Sequence, residues 1–177
     1  MQKKTQLIST IVASAALFLA LAPQSKSVAQ EEMHSLFLLR RPCVNTGIGN
    51  WDRRTQDVAV GRAVYNSKIF MGPGSGFAAM TCRLTPNRAG VIFQRLNLAF
   101  GMRDNDRDSP TVYVNVYLDG QKAETKTLSP GEAATVSLDV TPTQNVSIEA
   151  VCSSPAKYCD RVYFWEADLT YPPVTKQ

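Results

Sequence analysis

The sequence predicts an all-β fold, a jelly-roll β-sandwich of about nine strands held by two disulfides. Three observations carry this. Short runs rich in Val, Ile, Tyr, Phe and Thr alternate apolar with polar side chains, the pattern of strands with one buried face. Clusters of Gly, Pro, Asn and Asp separate the runs at the spacing of sandwich turns. Four cysteines stand in a chain that opens with an export-type leader.

Along the chain, the leader comes first. Lys3 and Lys4 precede an apolar run from Ile8 to Ala22, and Ser27-Val28-Ala29 places small residues where a signal peptidase reads, so residues 1–29 are expected to be a signal peptide cleaved after Ala29. The apolar run falls short of the roughly 20 residues a spanning helix needs, so no membrane span is expected in the mature chain. The expected destination is secreted or periplasmic. Residues 30–47 form an N-terminal segment, in which Leu36-Phe37-Leu38-Leu39 is a candidate strand pairing near the chain's end. Residues 48–177 form the sandwich domain.

Within that domain, Asp57–Val64 alternates on Val58 and Val60. Gly72-Pro73-Gly74-Ser75-Gly76 holds too much Gly and Pro for an element interior and reads as a loop. Phe77–Leu84 is a strand ending at the turn Thr85-Pro86-Asn87. Val91–Phe100 puts Ile92, Leu96, Leu98 and Phe100 on one face. A polar loop, Arg103 to Pro110, follows. Thr111–Leu118 alternates most cleanly, with Val112, Val114, Val116 and Leu118 opposite Tyr113, Asn115 and Tyr117. Asp119-Gly120 is a type I′ hairpin signal, because that turn needs φ > 0 at both central residues. Lys122–Thr127, Ala134–Val140, Asn145–Val151 and the aromatic Arg161–Tyr171 complete the set before Pro172-Pro173.

Charge narrows the function classes. Residues 1–29 carry Lys3, Lys4 and Lys26 and no acid, so of the 19 basic and 15 acidic side chains the mature chain keeps 16 and 15. A net of +1 gives no basis for nucleic-acid binding by phosphate neutralisation. Four cysteines allow three pairings. Cys152 and Cys159 flank a short loop between strand-like runs, where local closure is geometrically easy; this leaves Cys43 with Cys82. A zinc site is disfavoured by the single histidine, His34, and by the lack of a CxxC spacing.

Five pieces in order carry a family likeness: Phe100-Gly101-Met102-Arg103-Asp104; Val114 to Gln121; Leu138-Asp139-Val140; Val146 to Val151; and Asp160 followed by Phe164 to Leu169. Upstream, Ile69 to Gly72 with Gly76-Phe77 resembles the same family's glycine-rich turn. The chain resembles, over about residues 48–170, the NPCBM family, the "novel putative carbohydrate-binding module" found beside glycoside hydrolases. The resemblance implies a galactose-binding-like sandwich and a carbohydrate partner. Phe164 stands where the family has Trp, and Glu166 where it has Asp.

Sugar recognition needs a rigid apolar platform and a few hydrogen-bonding groups. Two places offer this. One is the outward row Tyr113, Asn115 and Tyr117, unless another layer covers it. The other is the loop end with Trp51, Arg103 and Asn105. Trp165 also lies near that end. It is expected to fill core, since Phe164 has the opposite parity and only one of the two can point inward. Asp104, Asp106 and Asp108 alternate in one loop and are the candidate calcium ligands, against the alternative of a solvated acidic loop partly neutralised by Arg103 and Arg107. No catalytic constellation is legible: His34 is the one histidine, the cysteines are taken by disulfides, and no nucleophile-elbow, zinc-protease or phosphate-loop motif is present. The expected function is a secreted, non-catalytic carbohydrate-binding module. A cell-envelope structural or interaction domain on the same fold is the alternative.

Overall fold

The computed structural model describes residues 33–85 and 91–173. The expected signal peptide, and Pro86 and Asn87 of the expected turn, lie outside the described residues. In chain order the strands are β1 (His34–Phe37), β2 (Cys43–Asn45), β3 (Asn50–Asp52), β4 (Gln56–Val60), β5 (Ala63–Ser67), β6 (Ile69–Gly72), β7 (Phe77–Arg83), β8 (Arg95–Met102), β9 (Val112–Leu118), β10 (Gln121–Leu128), β11 (Ala133–Asp139), β12 (Asn145–Cys152) and β13 (Val162–Tyr171). The one helical element among them is a 3-10 turn, Leu38–Arg40.

Two antiparallel sheets form the sandwich. The first runs β11-β8-β13-β6-β3, with β1 also on β13; the second runs β10-β9-β12-β7-β2. From β7 onward the chain passes repeatedly between the sheets, and the alternation read in the sequence faces the shared core. Leu96, Phe100 and Phe164 from the first sheet, and Met80, Val116, Val146 and Ile148 from the second, are all fully buried there. Burying side chains of this size stabilises by roughly 1.5–3 kcal/mol each before the cost of ordering them.

The strand count exceeds the expected nine. The run Asp57–Val64 is not one strand but the β4–β5 hairpin, turning at Gly61 and Arg62 with φ of 59° and 68°. Those angles make a type I′ turn, but Gly-Arg is not one of the pairs that announce it. The hairpin lies on the outer side of the first sheet and makes a second, smaller core from Val58, Val60, Phe70 and Tyr163. The expected Asp119-Gly120 turn is present, with φ of 47° and 82°. Leu36 and Phe37 do pair near the chain's end, opposite Leu169 and Asp168. Both disulfides form as expected, Cys43–Cys82 between neighbouring strands β2 and β7 and Cys152–Cys159 across the loop after β12.

β13 is the organising strand. A bulge between Phe164 and Glu166 shifts its register against β8. On its other edge it pairs β6 through Val162–Phe164, then β1 through Asp168–Tyr171. The bulge removes the either-or choice between Phe164 and Trp165. Phe164 fills the main core, while Trp165 packs under the hairpin, stacked on Tyr65 at 4.0 Å between ring centroids.

Candidate functional site

The outer face of the second sheet is built in rows across neighbouring strands. Register sets Tyr113 beside Thr127, Val151 and, one strand further, Phe77. The next row holds Thr125, Asn115, Glu149 and Ala79, and the one after it Lys122, Tyr117, Ser147 and Thr81. Among the described residues no third layer covers Tyr113, which is 40 % exposed.

The three expected platform residues differ in what they are free to do. Asn115 is 5 % exposed and engaged at both ends of its amide: its Nδ2 donates to Glu149 Oε2 at 2.9 Å and its Oδ1 accepts from Thr125 at 2.8 Å. Tyr117 donates its hydroxyl to the same Glu149 oxygen at 2.9 Å, and the Lys122 ammonium sits 5.5 Å from its ring. Burial first, then the bond to the Glu149 carboxylate, raises the Tyr117 hydroxyl above the ordinary tyrosine range. The middle of the face is therefore a closed polar brace. Tyr113, with half-exposed Val151 and Phe77 in its row, is the open apolar part.

That row leads to the end of the sandwich. Gly49 N donates to Phe77 O at 2.7 Å, and Cys152 N donates to Gly76 O at 2.9 Å, so the 46–50 segment and the 72–76 loop are tied to the tips of β7 and β12. Cys159 N donates to Gly74 O at 2.8 Å, which brings the disulfide-closed 152–159 loop against the same glycines. Between these segments lies a groove of about 470 Å³. Glycine backbone and the β3 residue Asn50 form its floor and rim, and Ile48 and Tyr158 are 80 % and 68 % exposed beside it. A side chain at position 49 would meet Gly72 O at 2.5 Å and Phe77 O at 2.9 Å, so only glycine lets these backbones close on one another.

The loop-end residues expected from sequence fall elsewhere. Trp51 packs against the main core, and its neighbour Asn50 is the residue at the groove. Arg103 is held by Asp106, its Nη2 donating at 2.7 Å and its Nε at 3.1 Å, with its guanidinium 5.2 Å from the Tyr163 ring. That fork leaves it a structural clamp on the second core, its own charge favoured by the Asp106 bond. Asn105 is exposed at the tip of the same loop. This loop meets the 152–159 side through Thr111 Oγ1, which donates to Ser153 Oγ at 2.9 Å, and through Ser109 Oγ, which accepts from Asp160 N at 2.9 Å. Burial, then the neighbouring Asp106 charge, raises the Asp160 carboxyl above its ordinary value.

The three candidate calcium ligands do not converge. Asp104 accepts from Gly61 N at 2.7 Å and Arg62 N at 3.1 Å, capping the β4–β5 turn, while Asp106, 6 % exposed, is committed to Arg103. Among the described residues, no group of three or more His, Cys, Asp and Glu side chains is placed to hold a metal ion. Nor does His34 meet a cysteine thiol, since all four cysteines are bonded to one another; its ring lies 5.5 Å from that of Tyr171 on β13. Among the described residues no helix is long and apolar enough to cross a membrane.

The part of the site that sequence reasoning missed is Ile48 and Tyr158. The available signal was an exposed-type pairing of large apolar residues with loops already marked by Gly72–Gly76 and by the Cys152–Cys159 closure. What was missing was their proximity.

No family model and no curated protein matches the sequence. Solved structures do match in shape. One is the CBM51 module of a Clostridium perfringens GH95 protein, in complex with methyl-galactose; it has a TM-score of 0.59 at 12 % identity over 77 % of this chain and 99 % of that one. A second is the tandem CBM51 pair of a family 98 glycoside hydrolase from Streptococcus pneumoniae, with a TM-score of 0.61 at 14 % identity over 82 % of this chain and 50 % of that one. A third, the CBM51-2 and INT domains of Clostridium perfringens ZmpB, gives 0.62 at 10 % identity over 77 % and 31 %. The chain thus shares the galactose-binding-like β-sandwich of CBM51 carbohydrate-binding modules.

Proposed function

We propose that this chain is an exported, non-catalytic carbohydrate-binding domain of the NPCBM family, which recognises glycan by aromatic stacking and loop hydrogen bonds. The single observation that carries the reading is the glycine-floored groove with Tyr158 and Ile48 exposed beside it, its Gly49 bonded to Phe77 of the Tyr113 row. An aromatic ring held by a disulfide-closed loop offers a sugar's apolar face a rigid platform at low entropic cost. Backbone groups of the 72–76 loop and the Asn50 amide supply hydrogen bonds to hydroxyls. Asn115 and Tyr117 brace the strands beside Tyr113, Trp51 packs on the core side of the strand that carries Asn50, and Arg103 clamps its own loop. The likeness in fold to carbohydrate-binding modules and the order of the five sequence pieces support the same assignment. Two disulfides fit an oxidising compartment.

The test is a glycan array probed with the mature chain and with Tyr158→Ala and Tyr113→Ala. Retention of at least one sugar polymer, weakened by Tyr158→Ala, is the expected result. Failure to bind any polymer, with or without calcium, would instead favour a structural or protein-interaction role in the cell envelope.

A further inference from the structure

A second concavity lies on the first sheet, where β13 exchanges β6 for β1 along its edge. Phe37 closes β1 opposite Asp168, and Lys68 precedes β6, its N–H donating to Phe164 O at 2.8 Å. Between these two diverging ends is a pocket of about 310 Å³, lined by Phe37, Arg40, Arg53, Thr55, Asn66 and Lys68. Three of the six are cations. The Arg53 guanidinium lies 5.4 Å from the Phe37 ring centroid and the Lys68 ammonium 5.8 Å from it, so two positive charges share one small aromatic face-and-edge environment. All three cationic side chains are exposed.

Among the described residues no ion pair answers their charge. Among the described residues the ion pairs within 4.0 Å are Arg103–Asp106 and Lys126–Glu124, and neither involves this pocket. The carboxylates nearest by chain position and register are Asp52, which precedes Arg53, Asp168 opposite Phe37, and Asp57 opposite Asn66, and among the described residues none of them pairs with a cation of the pocket within 4.0 Å. Like charges gathered without a partner repel, and an anion entering the pocket relieves that repulsion. Guanidinium forks match planar carboxylate and sulfate oxygens, while the Thr55 hydroxyl and the Asn66 amide suit neutral hydroxyls. The whole chain is close to neutral once its leader is removed, so the cluster is a local feature rather than part of a general basic surface.

β3 begins at the groove residue Asn50 and ends at Asp52, immediately before Arg53, so the two positions lie at opposite ends of a short strand, roughly 10 Å apart at about 3.3 Å per residue. One polymer can therefore reach both. We infer that this pocket binds the acidic substituent, carboxylate or sulfate ester, of an anionic polysaccharide seated in the Tyr158 groove. This inference rests on the glycan-binding reading above and narrows it to charged polymers.

Matched pairs of polymers test it. Polygalacturonate is compared with its fully methyl-esterified form, and heparin with its desulfated, carboxyl-reduced form, by surface plasmon resonance on the mature chain. The expected result is a preference for a charged member of about tenfold at low salt, shrinking as salt rises. Arg53→Gln/Lys68→Gln is expected to abolish that preference while leaving binding of the uncharged member in place. Equal binding of charged and uncharged members, or an undiminished preference in the double variant, overturns the inference and leaves the glycan reading standing. Loss of every polymer, charged and neutral, sinks both together.

Discussion

Tyr158 and Asn115 show how little a residue's type says about its role. Tyr158 sits in a six-residue loop with no alternating pattern to direct it, and only the bridge between Gly74 and Cys159 places it beside the groove. Truncating it removes the platform and touches no core, so Tyr158→Ala is expected to weaken glycan binding about tenfold or more with little change in melting temperature, read by titration calorimetry and thermal melts. Asn115 was legible as outward by parity and is outward, yet Glu149 and Thr125 from the two neighbouring strands close over it. Cross-strand partners are invisible to a single run of sequence. Asn115→Ala leaves the half-buried Glu149 carboxylate short of a donor, with an expected cost of about 1–3 kcal/mol in denaturant unfolding. Asp119 carries a pH dependence. The Gln144 and Asn145 N–H groups that it accepts hold its carboxyl below the ordinary value of 3.8. A carboxyl lowered in the fold stabilises above its unfolded value, and that contribution disappears as pH falls through the folded one. Asp119→Asn is therefore expected to lower the melting temperature at neutral pH and to flatten its decline on acidification, the variant and the parent converging as pH falls below about 3.8.

At the scale of elements, most of the sandwich was readable because period-two alternation survives wherever one face of a strand is buried. β12 follows it throughout, β9 departs from it at Asn115, which its cross-strand partners bury, and Asp119-Gly120 marks the turn after β9. The elements that escaped are short or irregular. β2 and β3 are three residues each, and β6 is buried throughout, so none has an alternating face to read. The bulge in β13 converts a forced choice between Phe164 and Trp165 into a buried Phe164 in the main core and a half-buried Trp165 against the second. Close approach of elements also fixes the groove. Gly49→Ala would press a methyl group on two backbone carbonyl oxygens, which cannot move without displacing β6 and β7. The expected outcome is a loss of about 1–3 kcal/mol of stability, seen by denaturant titration, together with weakened glycan binding.

For the whole molecule, the two disulfides divide the labour between fold and site. Cys43 and Cys82 are 39 positions apart and close a long loop, while Cys152 and Cys159 are 7 apart. Loop-closure entropy gives about 4 kcal/mol for the first and about 2.5 kcal/mol for the second. Replacing both members of the Cys43–Cys82 pair with alanine is expected to cost more in thermal stability. Replacing the Cys152–Cys159 pair is expected to cost less stability and more binding, because that closure positions Tyr158. The disulfide pairing and the sandwich were legible in the sequence. The position of the groove was not, since it is assembled from three segments that only the completed sheets bring together.

The most direct check is an amide-resolved NMR titration of the mature chain with a glycan that it retains on the array. Shifts concentrated on residues 48–50, 72–76 and 158, extending along the row to Tyr113, are the predicted result. Shifts confined to the β4–β5 hairpin or to β10 and β11, with Tyr158 and its neighbours unmoved, would contradict it.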